Sequence, residues 1–157
     1  MIFVLIAVLI FLFDLMAKKY VEANVGDGEE KELFDGRLKV RKVHNRGLAM
    51  GLLKKWPELA ERMTFAALAV TLAGALSGRK KGAGKAGYAI LIGGALSNWY
   101  DRFHQGYVTD YLHVPTKIRP LQKIFFNLGD VAVFAGGLLA LLPKLKNKEM
   151  DGDTDAE

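Results

Sequence analysis

Apolar and polar residues fall in long alternating blocks along this chain. Residues 1–13 (MIFVLIAVLIFLF) are apolar throughout, after which Asp14 interrupts and Lys18 and Lys19 follow. At ~1.5 Å per residue, positions 1–20 make a helix of about 30 Å, enough to cross a bilayer. A cleaved signal peptide is disfavoured, because no basic residue precedes the apolar run and no small-x-small site follows it. Residues 21–55 are polar, with Gly26, Gly28 and Gly36 as turn formers, and 37–43 (RLKVRKV) alternate basic and apolar side chains as a half-buried strand does. Trp56-Pro57-Glu58 opens a second apolar helix that runs to Ser77, with Pro suited to a first turn and Trp to an interface. A Gly-rich basic turn (77–85, SGRKKGAGK) leads to a third apolar block, 87–100. A polar stretch follows from 103 to 123, where Pro115 and Pro120 argue against a continuous helix. The fourth block, 125–142, is expected to stop at Pro143, with an acidic, disordered tail over 149–157.

This pattern predicts an all-α membrane bundle of four spans (1–20, 58–77, 86–102 and 125–142) in one domain, 1–148, with a small sheet lying on the membrane surface. Composition alone would have hidden it, since 51% hydrophobic and 25% charged residues are a modest mixture. The net charge of +5 suits contact with anionic lipid headgroups. It would also suit nucleic acid, but there is no basic helix or aromatic–basic platform to read bases, so no nucleic-acid partner is expected. Cysteine is absent, which excludes disulfides, a thiol nucleophile and Cys-ligated metals.

Arg79, Lys80, Lys81 and Lys85 occupy the turn between spans two and three, and Lys144, Lys146 and Lys148 follow span four. By the positive-inside rule both regions, and hence both termini, are cytoplasmic. The 21–55 loop is basic as well, partly balanced by its acids. In this orientation Asp14, Asn98, Asp101, Arg102, Asn127 and Asp130 all lie at the outward ends of their helices.

Ionisable side chains in membrane helices are costly and face partners or water. Asp14 and Lys18, at i and i+4, share a helix face and form an ion pair, a supporting role rather than a catalytic one. Asp110, just beyond span three, and Asp130, in the first turns of span four, are different. Two carboxylates close together at low dielectric do not both ionise easily, which leaves one acid and one base near neutral pH. Such a pair can deprotonate a water as it attacks a peptide carbonyl and protonate the leaving amine. The spacing of the two in sequence does not itself bring them together.

Five short blocks resemble, in order, those of the lipoprotein signal peptidases, the signal peptidase II family of intramembrane aspartic proteases. They are FDLMAK (13–18, with Asp14 and Lys18), HNRGLAMG (44–51, with Asn45 and Gly47), GGALSNWYDR (93–102, with Asn98, Asp101 and Arg102), GYVTDYL (106–112, with Asp110) and FNLGD (126–130, with Asn127 and Asp130). The resemblance implies four membrane helices, a small extracytoplasmic β-sheet insert and a short surface helix. It implies a multi-pass protein of the bacterial cytoplasmic membrane with its active site at the outer face. The implied activity removes the signal peptide from a diacylglyceryl-modified prolipoprotein, cutting just before the lipidated Cys. Asp110 and Asp130 then form the catalytic pair, with no metal or cofactor. Asn98 and Asn127 orient the dyad or hold substrate backbone, and Asn45 and Arg102 contact substrate. Arg102 is also a candidate carboxylate partner, and Asp101 is expected to fix Arg102 or backbone amides. Partners are the prolipoprotein substrate and membrane lipids, and a monomer is expected.

The chain departs from the family pattern at Ser97 and Gly129, where Gly and Ala are usual, at Trp99-Tyr100, and at Leu48 and Met50. None removes an acid or an amide, though each could reshape the substrate groove. Rival chemistries fit less well. A dyad of Ser97 with Lys18 would need both at one depth. His44, His104 and His113 lack His-Glu-x-x-His zinc spacing. A proton path or transporter would distribute its acids through the bilayer's depth. A catalytically silent relative that binds lipidated signal peptides would be expected to lack an aspartate.

Overall fold

The computed structural model describes residues 1–48, 51–77, 82–119 and 122–152, with side chains described up to residue 141. Four helices, α1 (Ile2–Asn24), α2 (Pro57–Leu76), α3 (Ala83–Gln105) and α4 (Leu128–Gly152), surround or flank one another beneath a three-stranded antiparallel sheet. The strands are β1 (Glu30–Leu33), β2 (Leu38–Asn45) and β3 (Val108–His113), in that order across the sheet. β1 and β2 form a hairpin whose turn carries Phe34, Asp35 and Gly36 at positive φ. β2 then pairs with β3, His44 opposite Thr109 and Asn45 opposite Val108, with a register shift between Val40 and Val43.

The helices are inside out relative to a water-soluble bundle. Phe13, Val70 and Phe134 are 68%, 73% and 71% exposed, while Asp14, Lys18 and Asn127 are 0%, 2% and 0% exposed. A broad apolar exterior around a polar interior is favourable only where the surroundings are themselves apolar. By length and composition, α2 is the one helix among the described residues that suffices to cross a membrane. In α1 the shortfall is polar: it carries Asp14, Lys18 and Lys19, the first two buried in the bundle rather than facing outward.

α3 is the central helix, and glycines let it approach two neighbours at backbone distance. A Cβ on Gly93 would lie 2.6 Å from the Ala7 carbonyl oxygen of α1. One on the next residue, Gly94, would run into the Gly129 carbonyl of α4, and one on Gly87 into the Ala140 backbone nitrogen. Such small-residue seams replace the hydrophobic driving force that lipid does not supply between helices.

Several boundaries differ from the sequence reading. α4 begins at Leu128 rather than 125, because Phe126 exchanges backbone hydrogen bonds with Leu112 and so extends the sheet. The backbone stays helical through Pro143 to Gly152, beyond the expected stop at Pro143. A single proline forfeits one helical hydrogen bond, and the Lys-rich segment after it is rich in good helix formers. Residues 153–157 and the basic residues Arg79, Lys80 and Lys81 lie outside the described residues. The polar 103–123 stretch contains the last turn of α3 and all of β3. Gly51 is 3₁₀-helical and positions 52–55 form turns, with Gly51 and Leu53 at positive φ; residues 49 and 50, just before them, lie outside the described residues.

Candidate active site

The site lies where the C-terminal end of α3, the N-terminus of α4 and the strands β2 and β3 meet. It starts from a helix cap. Asn127 precedes α4, and its Oδ1 accepts from the Asp130 backbone N–H at 2.8 Å, while Asp130 Oδ2 accepts from the Asn127 backbone N–H at 3.2 Å. This reciprocal pair satisfies two otherwise orphaned N–H groups of the first turn, as a capping box does. It also fixes the Asp130 carboxylate at the positive end of α4.

With its oxygen committed to the cap, the Asn127 amide has its NH₂ free to point elsewhere, and it donates to Asp110 Oδ1 at 2.8 Å. One asparagine thus holds both aspartates. The remaining oxygens are claimed by two more amides: Asn45 donates to Asp110 Oδ2 (3.0 Å) and Asn98 to Asp130 Oδ1 (2.8 Å). Asp110 faces this cluster from the middle of β3, not from a loop, and is buried. Burial pushes its carboxyl up to about 7, and the neighbouring Asp130 charge adds to the rise, while the Asn45 and Asn127 donors oppose it.

Behind Asn98 stands Lys18. Its ammonium lies 2.7 Å from Asp14 and 3.0 Å from Asp101, and donates to Asn98 Oδ1 (2.9 Å) and Ser97 Oγ (3.1 Å). Because Lys18 holds the amide oxygen, the Asn98 NH₂ must face Asp130. Ser97 completes the ring by donating to Asp14 Oδ2 at 2.6 Å. Ser97 and Lys18 therefore do lie at one depth, contrary to the objection raised against a Ser–Lys dyad. The objection that holds is one of partners: the Lys18 ammonium is already engaged by Asp14 and Asp101, and the Ser97 hydroxyl donates to Asp14 rather than to Lys18. Ser97 is also wholly buried.

Arg102 corrects a second expectation. Among the described residues it has no carboxylate within ion-pair distance. Its guanidinium donates to two backbone carbonyls, Gly47 (2.6 Å) and Asn98 (3.1 Å). Asp101 pairs with Lys18 instead and accepts from the Thr109 backbone N–H at 3.4 Å. Gly47 is constrained from both sides. Its N–H donates to Asn45 Oδ1 at 2.9 Å, and a Cβ there would collide with the Leu52 carbonyl. All ten site residues singled out from the sequence thus belong to one connected hydrogen-bond network. Sequence reasoning missed Glu22 and Thr109. Glu22 Oε1 accepts from Thr109 Oγ1 (2.7 Å) and lies 2.8 Å from His44 Nε2, tying α1 to the residues just before Asp110 and Asn45. A glutamate at the polar end of an apolar helix was the available signal.

The model of the family described as "Signal peptidase (SPase) II" matches residues 6–146. The chain belongs to the signal peptidase II family. Among similar proteins are the lipoprotein signal peptidases of Lactobacillus johnsonii, 27% identical and covering 95% of each chain, and of Gloeobacter violaceus, 31% identical and covering 93% of this chain and 83% of that one. Two bacterial membrane enzymes solved by the in meso method share the fold. One matches with a TM-score of 0.79 at 23% identity, over 93% of this chain and 88% of the other. The second matches with a TM-score of 0.73 at 25% identity, over 92% of each. Membership makes this chain a membrane protein and a protease of signal peptides, and accounts for its apolar exterior.

Proposed function

We propose that the protein is an aspartic endopeptidase in which Asp110 and Asp130 activate water to cut the signal peptide from a diacylglyceryl-modified prolipoprotein, just before the lipidated Cys. Removal of signal peptides from prolipoproteins is the family's activity. The observation that carries the aspartic assignment is the Asn127 side chain, which binds one carboxylate and caps the backbone of the other. The pair carries one proton. The ionised carboxylate takes a proton from water as the water oxygen attacks the scissile carbonyl carbon, and the protonated partner gives its proton to the leaving amide nitrogen. The C–N bond breaks and the dyad again holds one proton. That proton belongs to the pair rather than to either residue.

The same reading places the four helices across the bacterial cytoplasmic membrane as a single domain, 1–148, working as a monomer. The sheet and the dyad face outward, and both termini face the cytoplasm. The scissile bond of a prolipoprotein lies near the outer bilayer surface, which suits acids gathered at one end of the bundle. A proton relay would need them spread through its depth. Asn45 and Arg102 then act through the 45–48 turn, shaping the wall that the substrate meets. The test offers the purified protein a lipidated prolipoprotein and compares Asp110→Asn and Asp130→Asn. Both variants are expected to lose cleavage; full turnover by either would overturn the dyad.

A further inference from the structure

A cavity of about 470 Å³ opens beside Asp110, lined among others by Asn45, Arg46, Lys54, Lys55, Lys123 and Phe125. Its charge is lopsided. Four cations line it, and Asp110 is its one carboxylate; Glu58 and Glu61 line neighbouring cavities instead. Among the described residues, the ion pairs use Lys18, Lys31, Lys39, Lys42, His44 and Arg62, and none uses Arg46, Lys54, Lys55 or Lys123. Like charges brought together around a recess without partners raise the local concentration of anions. The backbone is also strained here. Leu53, immediately before Lys54, has φ 62, a left-handed conformation that branched side chains rarely adopt.

These cations sit on the outward side in the proposed topology, where the positive-inside rule does not favour them. We propose that the cavity is a subsite for acidic side chains in the first few residues after the lipidated Cys, so that the enzyme prefers prolipoproteins whose mature portion begins with Asp or Glu. The inference rests on the peptidase reading above. Three features select this occupant. The walls come from β2, the loop that follows it and the segment leading into α4, none of them apolar helix, so the signal helix and the lipid chains do not belong there. The part of the substrate outside the bilayer is the mature segment. And the cavity reaches Asp110 and Asn45, so its occupant is continuous with the chain at the scissile bond. At about 3.3–3.6 Å per extended residue, the positions after the cut reach these side chains within a few residues.

The test uses two diacylglyceryl-modified prolipoprotein peptides that differ only at the second to fourth positions after the Cys, Asp/Glu in one and Ser/Gln in the other. Both are presented in neutral-headgroup micelles. Cleavage is expected to show roughly fivefold lower KM for the acidic peptide, as a few partly exposed ion pairs would give. Raising salt from about 0.1 M to about 1 M shortens the screening length from about 10 Å to about 3 Å and should erase the difference. In Lys54→Gln/Lys123→Gln the KM ratio of the two peptides should fall to near one. Equal KM values in the parent, or a preference that survives both salt and the double substitution, would overturn the subsite. So would a dependence of the variant's defect on anionic phospholipid in the micelle rather than on peptide charge, since the cations would then bind headgroups. Anisotropy binding of the same fluorescent peptides separates the two proposals. A preference in Kd without any cleavage would sink the peptidase reading and keep the subsite.

Discussion

Ser97, which departs from the family pattern, hydrogen-bonds the very atom that a side chain at Gly129, a second departure, would meet, and this makes a sharp test of the buried network. Asp14 Oδ2 accepts from Ser97 Oγ at 2.6 Å and pairs with Lys18 at 2.7 Å. A Cβ placed on Gly129 would lie 2.7 Å from that same oxygen, 3.0 Å from Asn127 Oδ1 and 3.1 Å from the Gly94 carbonyl. Asp14 is wholly buried and its Oδ2 is already held by Ser97 and Lys18, so moving away from a new methyl would stretch those bonds. Gly129→Ala is therefore expected to destabilise the fold by about 1–3 kcal/mol through overpacking, less up to ~1 kcal/mol recovered from helix propensity. Ser97→Ala removes two hydrogen bonds in a charged setting and is expected to cost about 1–3 kcal/mol alone. Combined, the two should cost less than their sum, because without the hydroxyl the carboxylate can move aside. A coupling of about 1 kcal/mol is expected from residues that share a partner. The assay is a double-mutant cycle of thermal unfolding in detergent, read alongside kcat, since Gly129 adjoins Asp130. Additive effects, or a Gly129→Ala variant as stable as the parent, would refute the claim that Asp14 is clamped from both sides.

Three further outcomes follow from the site. Asp110 is raised from 3.8 to about 7 in the folded protein, so between those values the native state binds more protons than the unfolded chain. Stability at Asp110 is then greatest at low pH, falls as pH rises from about 4 to 7, and levels off above; the shift corresponds to about 4 kcal/mol at most. Unfolding at pH 5 and pH 8 should show the parent losing more than Asp110→Asn; equal losses would contradict the burial argument. Lys18→Met leaves Asp14 and Asp101 buried without their cation and should cost about 3–5 kcal/mol, visible as loss of folded protein on purification. Asn127→Ser keeps a helix-capping oxygen but cannot reach Asp110. It should retain most of the ~1 kcal/mol cap while kcat falls by about 10²-fold or more, whereas Asn127→Ala loses both.

Much of this protein was legible in one dimension, because the features concerned are local. Four apolar blocks and the alternation at 37–43 reflect which solvent each segment meets, a property that a short window of sequence records. Asp14 and Lys18 are one helical turn apart, so their ion pair followed from spacing. The Asn-x-x-Asp of FNLGD is local too, yet its reading as a capping box came only with the structure.

What depended on long-range packing was not legible. Nothing in GYVTDYL says that it becomes a strand beside β2, since its partner lies more than sixty residues earlier; that pairing sets Asp110 opposite Val43, within hydrogen-bond reach of the Asn45 amide. Composition gave no sign that Lys18 would serve Asp14, Asp101, Ser97 and Asn98 together, because glycine contacts between α1, α3 and α4 decide which polar side chains meet. For the same reason Arg102 was paired on paper with a carboxylate and in space with carbonyls. Sequence alone determined which segments leave water and which residues carry the chemistry. The tertiary structure decided which of those residues share a hydrogen bond, since contact between distant segments depends on how closely their backbones can approach.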